Sequence, residues 1–307
     1  MKRIRELLER LRQDRIDCRE NVVMAPYTTF HIGGSAALLI EPHTSEQLML
    51  ALKRAQEYEI PSFVLGKGSN VLFDDGAMTL AVIRTTAVQE LHIKENTLVA
   101  ACGVTLLEIT KEAMRSGLAG MEFAYGIPGT MGGALCMNAG AYGGEMSRVV
   151  RSVRVYDAER DDTVELTTDQ MQFSYRHSIL LQNGALTALD ATVELQEDDP
   201  RQIEARMQDY MCRRKQKQPL DYPSAGSTFK RPAQGFAGQL IEQSGLKGFR
   251  IGGAMVSPKH AGFIINVGGA TARDVLRLIE HIRQTVLRDH GVELEPEVQI
   301  LTRLNAK

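Results

Sequence analysis

Residues 126–144 read GIPGTMGGALCMNAGAYGG, in the middle of a chain of 307 residues. The uncharged run around them extends from Phe123 to Gly144 and holds seven glycines in 22 residues. Such a run is a membrane span, a flexible linker, or a folded backbone that lies closely against another group. Pro128, Asn138 and the glycines would make a poor spanning helix, which argues against the first interpretation.

The run also differs from a flexible linker, which would be rich in serine and other polar residues. Apolar side chains recur in it at irregular intervals: Ile127, Met131, Leu135, Met137 and Tyr142. Such side chains favour burial, so the run is predicted to be folded. Its glycines leave the backbone bare, either for a ligand or for tight packing between domains, and both alternatives stay open at this point.

The composition is that of an ordinary globular protein, with 43% hydrophobic and 24% charged residues and a net charge of −2. No strong basic field points to nucleic acid or to an anionic membrane. The length exceeds one comfortable core and predicts two or three packed units. The N-terminus is charged throughout, with Ile4, Leu7, Leu8 and Leu11 at helical spacing. This pattern predicts an amphipathic helix rather than a signal peptide.

The four cysteines lack the spacing of a metal site and are expected to be reduced thiols in a cytoplasmic protein: Cys18, Cys102, Cys136 and Cys212. No metal is expected. Helical and strand-like segments are mixed along the chain, which predicts an α+β fold of about three lobes. Helices are predicted over 45–58, 105–117, 201–217 and 271–291, and antiparallel strands over 151–157, 163–168 and 185–195.

The segment GKGSNVL, residues 66–72, follows a predicted strand and is rich in glycine. It is not a dinucleotide fingerprint, because Val71 stands where the third glycine would be, and it does not match a Walker A loop. Gly66, Gly68, Ser69 and Asn70 still form a loop rich in backbone N–H groups, which suits a diphosphate. A plain turn is an equal alternative.

Four polar residues have a functional and an ordinary interpretation each. Arg176 lies beside two aromatic residues in FSYRHS and could be a surface arginine, and Ser227 in SAGSTF could be a turn serine. Glu297 enters an apolar strand, where a charge must be paired, so a structural ion pair competes with a catalytic role. His260 could be a general acid, but a packed polar residue is favoured.

Seven motifs occur in order from residue 28 to 301: TTFHIGG, LGKGSNVL, GIPGTMGGALCMNAGAYGGE, YRHS, AGSTFKRP, AGQLIEQSGLKG and LEPEVQIL. Together they resemble the UDP-N-acetylenolpyruvoylglucosamine reductase family of bacterial cell-wall synthesis. The resemblance is to the shorter type, which lacks an inserted segment carrying a tyrosine. It implies a two-lobed FAD-binding unit of the vanillyl-alcohol-oxidase type, residues 1–78 and 79–200. A substrate-binding domain over 201–307 would follow, and its last strand could return to the first lobe.

The implied activity is the NADPH-dependent reduction, through FAD, of the enolpyruvyl ether of UDP-N-acetylglucosamine to UDP-N-acetylmuramate. Hydride from flavin N5 would reach C3 and a proton would reach C2. The resemblance places Arg176 and Glu297 at the substrate carboxylate and makes Ser227 the proton donor. Arg214, Lys217 and Lys247 are candidates for the diphosphate or the carboxylate, whereas the roles of Arg231 and His260 stay open. A monomer is expected, with neither nucleic acid nor membrane as partner.

By the same resemblance, two segments line the flavin. The implied residues are Gly66, Lys67, Gly68, Ser69, Asn70, Val71, Leu72, Gly126, Ile127, Pro128, Gly129, Thr130, Gly132, Gly133, Ala134, Asn138, Gly140 and Ala141. Two alternatives to the reductase are weighed. One is an FAD oxidase of the same fold with a covalently tethered flavin, for which His31, Cys102 and Cys136 are the nearest candidates. The other is a nucleotide-sugar-binding protein without catalysis.

Overall fold

The computed structural model describes residues 2–302. The α-helices of this part are α1 (Lys2–Gln13), α2 (Ser45–Glu57), α3 (Leu106–Arg115), α4 (Met131–Cys136), α5 (Ile179–Gln182), α6 (Pro200–Lys217), α7 (Ala237–Gln243) and α8 (Ala272–His290). Its strands are β1 (Asp17–Val23), β2 (Ser35–Glu41), β3 (Ser62–Leu65), β4 (Val71–Phe73), β5 (Met78–Arg84), β6 (Leu91–Lys94), β7 (Thr97–Ala101), β8 (Leu118–Ala119), β9 (Gly140–Ala141), β10 (Gly144–Glu145), β11 (Val150–Asp157), β12 (Asp162–Thr167), β13 (Leu186–Glu194), β14 (Gln196–Glu197), β15 (Ser224–Ser227), β16 (Arg250–Ile251), β17 (Ala254–Val256), β18 (Phe263–Asn266) and β19 (Gln299–Leu301). The mixture of helices and strands agrees with the predicted α+β class.

The chain divides into two compact units, each built from separate stretches of sequence. The first unit comprises the residues up to Glu20, Leu38–Lys67 and Leu80–Arg214. The second comprises Asn21–Ala37, Gly68–Thr79 and the residues from Lys215 onwards. Each unit has its own hydrophobic core. The finer division into lobes at residues 78 and 200 stays a prediction.

The first unit is organised around an antiparallel sheet of five strands in the order β12-β11-β13-β7-β6. Helix α4 lies against β13 and β7, so the glycine-rich run is anchored on this sheet. A second sheet has the order β1-β2-β5-β3, with β3 and β5 parallel. Helix α3 begins at a capping box, in which Thr105 and Glu108 each satisfy the other's backbone N–H.

The second unit holds an antiparallel sheet of four strands in the order β15-β18-β17-β16. Helix α8 begins at a capping box of Thr271 and Asp274 and ends at Gly291, which has φ 68°. One face of α8 is buried through Val275, Leu278, Ile279, Ile282 and Val286, as its spacing predicts, whereas Leu276 is only half-buried. Each such side chain contributes about 1.5–3 kcal/mol on burial, so this face fixes the helix.

Three details differ from the sequence-based prediction. The segment Asp17–Val23 lacks apolar alternation and is typical of irregular structure, yet it forms strand β1 with most of its side chains exposed. The run Phe73-Asp74-Asp75-Gly76 is typical of a turn, but Phe73 ends strand β4. The glycine-rich segment GIPGTMGGA is typical of a loop, but Met131–Cys136 forms helix α4. No helix in residues 2–302 combines the length and the apolar character needed to cross a membrane.

Candidate functional site

The two glycine-rich motifs of the first unit meet at Gly66 and Thr130. A Cβ on Gly66 would overlap the hydroxyl oxygen of Thr130, so only glycine allows this approach. Thr130 is also the N-cap of α4, where its Oγ1 accepts a hydrogen bond of 3.5 Å from the Gly133 N–H. Motifs far apart in sequence are therefore joined at one place.

Several glycines of the run are required by packing, whether or not a ligand also approaches them. A Cβ on Gly132 would lie 3.0 Å from Cys102 Cβ, and the Gly132 N–H donates to Cys102 O at 2.8 Å. A Cβ on Gly140 would lie 2.8 Å from Glu145 Cβ, and one on Gly144 would lie 2.6 Å from the Phe123 ring. At these three positions the packing interpretation is sufficient.

Gly129 and Gly133 are different, because space is open around them. A Cβ on Gly133 would have only Thr130 Oγ1 nearby, at 3.7 Å, and Gly133 is exposed. A Cβ on Gly129 would make only ordinary contact, at 3.6 Å, with Leu106. The fold itself does not demand glycine at these two positions, which leaves them available for close approach of a ligand.

The loop after β3 offers backbone donors. Within residues 2–302, the N–H groups of Gly66 and Lys67 make no hydrogen bond. In the second unit, Gly68 has φ 63° and packs against the Tyr27 carbonyl so closely that a Cβ would overlap it. The side chains of Val71 and Leu72 are buried in β4, so these two residues present only their backbone to a ligand.

Arg176 is held beside the glycine-rich run by its neighbours in the YRHS turn. The turn is closed by paired backbone hydrogen bonds between Ser174 and His177, and Arg176 itself has φ 56°. Asn138 donates to Ser174 O at 3.1 Å, and Ser178 donates to Cys136 O at 2.9 Å. A left-handed backbone at a residue other than glycine costs free energy and is typical of functional sites.

The guanidinium of Arg176 is oriented by contacts with Gly140 and with the Tyr175 ring. Its Nη2 donates a hydrogen bond of 3.4 Å to Gly140 O, and its Cζ lies 5.2 Å from the centroid of the Tyr175 ring. The predicted residues Asn138 and Gly140 therefore support Arg176, one through its turn and one directly.

Arg214 lies on α6 next to the start of the run. Its Cδ would be 3.4 Å from a Cβ on Gly126, which has φ 92°. Its Nε is buried and makes no hydrogen bond within the described chain. Burial lowers the pKa of the guanidinium from its usual value, but arginine stays charged. A buried cationic donor without a partner fits an anionic ligand.

In the second unit, three predicted motifs converge through hydrogen bonds to backbone atoms. The Glu297 N–H donates to Thr228 O at 2.8 Å, next to Ser227. Asn70 Nδ2 donates to Glu297 O at 3.2 Å, and the Gln299 N–H donates to Asn70 O at 2.9 Å. These bonds hold Glu297 against Thr228, the residue that directly follows Ser227.

Ser227 itself is the last residue of β15 and is half-buried. It pairs with Phe263, and the register shifts between Ser224 and Ser227. Gly226, with φ 78°, supplies the backbone conformation at this irregularity. Such irregularities re-aim side chains, which is typical of functional sites on strands.

The remaining predicted residues, two lysines and a histidine, lie in the second unit. Lys217 and Lys247 are exposed, and Lys247 Nζ lies 2.6 Å from Glu242 Oε1. Burial of His260, reinforced by the charges of Lys247 and Lys217, holds the pKa of its imidazole below the ordinary value. His260 Nδ1 accepts a hydrogen bond of 3.1 Å from the Gly262 N–H, which agrees with the favoured interpretation of a packed polar residue.

Sequence reasoning missed the aromatic pair of Tyr142 and Tyr210, whose rings stack at 4.6 Å between centroids. It also missed the buried Glu122 and its partner Arg206. The only signal at Glu122 is that a charged residue stands directly before the uncharged run. No local pattern identifies its partner, which lies 84 residues away.

Two family models match the chain. The UDP-N-acetylenolpyruvoylglucosamine reductase C-terminal domain matches residues 218–301, and an FAD binding domain matches residues 36–166. A UDP-N-acetylenolpyruvoylglucosamine reductase of Clostridium perfringens is 47% identical over 91% of both chains. One of Clostridium botulinum is 42% identical over 98% of both.

A solved structure, the UDP-N-acetylenolpyruvylglucosamine reductase of Thermus caldophilus, is similar to this fold with a TM-score of 0.79 and 35% identity. The match covers 94% of this chain and 99% of that one. The predicted fold class is confirmed at this level: an α+β chain that holds an FAD-binding domain and the C-terminal domain of the matched reductases.

Proposed function

Because the chain belongs to the UDP-N-acetylenolpyruvoylglucosamine reductase family, we propose that Arg176, Ser227 and Glu297 carry the reaction for which that family is named. The chain is an FAD-containing oxidoreductase of peptidoglycan precursor synthesis that reduces the enolpyruvyl ether of UDP-N-acetylglucosamine. NADPH is the proposed electron donor. The observation that carries the assignment of Ser227 and Glu297 is the convergence of Asn70, Ser227–Thr228 and Glu297 through hydrogen bonds to backbone atoms.

The residues present fit FAD. The open faces of Gly129 and Gly133 admit a flat or extended ligand close to the backbone, and the bare N–H groups of Gly66 and Lys67 suit phosphate oxygens. When bound, FAD supplies two-electron chemistry between NADPH and the substrate. The side chains of Val71 and Leu72 are assigned no direct contact, because both are buried in β4.

Arg176 is proposed to bind the substrate carboxylate. Hydride addition at C3 places negative charge at C2, and this charge spreads into the carboxylate as an enolate. The planar guanidinium can hold both oxygens at once, and its turn fixes it before substrate arrives. Asn138 and Ser178 act through the turn and are positioning residues.

Ser227 is proposed to give the proton that C2 requires. A serine hydroxyl is a weak acid, but the enolate it protonates is strongly basic. The net change is one hydride at C3 and one proton at C2, with the double bond reduced and NADPH oxidised to NADP⁺. Glu297 is proposed to donate a hydrogen bond to the carboxylate, which requires its protonated form.

Arg214 is the best supported of the three basic residues proposed to bind the substrate's anionic groups, because its Nε is buried without a partner. Lys217 is exposed and is therefore accessible to a diphosphate. Lys247 is paired with Glu242 and would have to exchange that partner.

The alternative of an oxidase with a flavin tethered to cysteine has little support. Burial raises the pKa of the Cys102 thiol to about 12, and burial raises that of Cys136 to about 11. The thiolate is the nucleophile, so neither side chain is prepared for attack at neutral pH. His31 is exposed and lies in the second unit. Family membership also favours catalysis over binding alone.

Turnover of the purified protein tests this proposal. The protein, reconstituted with FAD, is expected to oxidise NADPH rapidly only when the enolpyruvyl nucleotide sugar is added. Mass spectrometry is expected to show a product heavier than the substrate by two hydrogen atoms. Equal NADPH oxidation with and without the sugar, or an unchanged sugar mass, would contradict it.

A further inference from the structure

Glu122 and Arg206 form an ion pair outside the proposed reacting groups. Arg206 donates to Glu122 Oε1 twice, from Nε at 2.9 Å and from Nη2 at 2.7 Å. The Gly120 N–H donates to Oε2 of the same carboxylate at 2.7 Å. Glu122 is 8% exposed, so both oxygens of a buried carboxylate are satisfied by groups of fixed geometry.

Arg206, Tyr210 and Arg214 lie four residues apart along α6 and therefore share one face of the helix. Tyr210 stacks on Tyr142 with an interplanar angle of 4°. The flexible end of Met211, one residue further along, packs against Gly126, where Met211 Cε would lie 2.7 Å from an added Cβ. One stripe of α6 thus contacts the segment 120–144 at three successive points.

Arg214 is the last residue of this stripe and the one with a buried, unpartnered Nε. No hydrogen bond of its own to the described chain holds that nitrogen, so its position depends on how α6 is seated. The ion pair lies two turns earlier on the same face. If α6 were displaced at Arg206, the rigid helix would also displace the guanidinium of Arg214.

We infer that Arg206, held by Glu122 and by a further hydrogen bond of 2.5 Å from Nη2 to Asp198, is a positioning residue of α6. It orients the helix so that Arg214 meets the anionic groups of the nucleotide-sugar substrate. The inference rests on the proposed function. It concerns substrate affinity, because neither side chain of the ion pair is assigned to FAD or to the reacting carbons.

Steady-state kinetics of the FAD-loaded protein with NADPH and the enolpyruvyl nucleotide sugar test the inference. Arg206→Gln is expected to raise KM for the sugar by about tenfold or more, while FAD content and flavin reduction by NADPH alone stay unchanged. Asp209→Asn is the matched control, because Asp209 forms an exposed ion pair with Arg213 on the same helix. It is expected to leave KM within about twofold.

A double substitution separates positioning from general damage. In an Arg214→Met background, Arg206→Gln is expected to raise KM little further, because the group that it positions is gone. The inference would be overturned if the rises in KM of the two single variants multiplied in the double variant. An unchanged KM in the Arg206→Gln single variant would also overturn it. If that variant does not fold, Arg206→Lys keeps the charge without the double hydrogen bond and is expected to show the same rise in KM. A wild-type protein without turnover would refute the proposed function itself.

Discussion

Gly132 and Gly133 are adjacent residues of α4 with different surroundings. At 132 an added Cβ would meet the backbone and Cβ of Cys102, whereas at 133 it would meet only Thr130 Oγ1, at 3.7 Å. The sequence shows two identical residues and cannot tell them apart, because the difference lies in what folds against them. Packing therefore explains glycine at 132, and the proposed flavin contact is the reason we assign to glycine at 133.

Gly132→Val is expected to destabilise the protein by about 1–3 kcal/mol, since its side chain is forced against Cys102. Gly133→Val is expected to fold and to bind much less FAD. Chemical denaturation of the apoproteins measures the loss of stability in Gly132→Val. Flavin absorbance after reconstitution measures the loss of FAD in Gly133→Val. Full FAD content in folded Gly133→Val would contradict a ligand at that face.

His260 illustrates a residue whose surroundings oppose its charged form. In the native protein its pKa lies below the ordinary 6.5, because burial and two lysines disfavour imidazolium. Glu242 acts in the opposite direction but is outweighed. In the unfolded chain this histidine binds a proton as the pH falls below about 6.5. In the native chain it binds that proton only when the pH reaches its lowered native pKa. Stability must therefore fall with pH across that window.

The free energy of unfolding is accordingly expected to decrease as the pH is lowered below about 6.5, and His260→Gln is expected to flatten this slope. Carboxylates with lowered pKa values, such as Asp14 and Asp274, contribute only below their ordinary 3.8 and do not overlap this window. Urea denaturation at several pH values measures the slope. An identical slope in the variant would show that other groups cause it.

At the scale of elements, the sequence predicted best where periodicity and caps agree. Helices α3 and α8 lie where they are predicted, and both begin at a threonine whose side chain closes a capping box. Strands β11, β12 and β13 alternate and were predicted within a residue or two at each end. In these elements local and tertiary preferences point the same way.

Helix α4 could not be predicted because its glycines disfavour a helix. Strand β1 could not be predicted because its sequence carries no strand pattern. Two of the six residues of α4 are glycine, each about 1 kcal/mol less favourable than alanine in a helix. Contacts with β13 and β7 override that preference. Strand β1 exposes most of its side chains and so lacks a periodic signal.

At the scale of the whole molecule, the chain leaves and re-enters each unit, and no composition shift marks those crossings. Motif order pointed to the family and hence to the residues, but only the structure shows how the motifs meet. Gly66 contacts Thr130 in one unit, and Asn70, Thr228 and Glu297 are linked in the other. Such pairings depend on long-range topology, which one sequence does not display.

An anaerobic half-reaction experiment on Ser227→Ala, with Ser224→Ala on the same strand as control, tests most directly whether Ser227 is the proton donor. Flavin absorbance is followed as NADPH is added and then as the enolpyruvyl sugar is added. Normal reduction by NADPH is expected in both variants, followed by reoxidation at the wild-type rate in Ser224→Ala. In Ser227→Ala, reoxidation should be slower by about 10²-fold or more. Equal loss of both half-reactions in Ser227→Ala, or loss of neither, would contradict Ser227 as the proton donor.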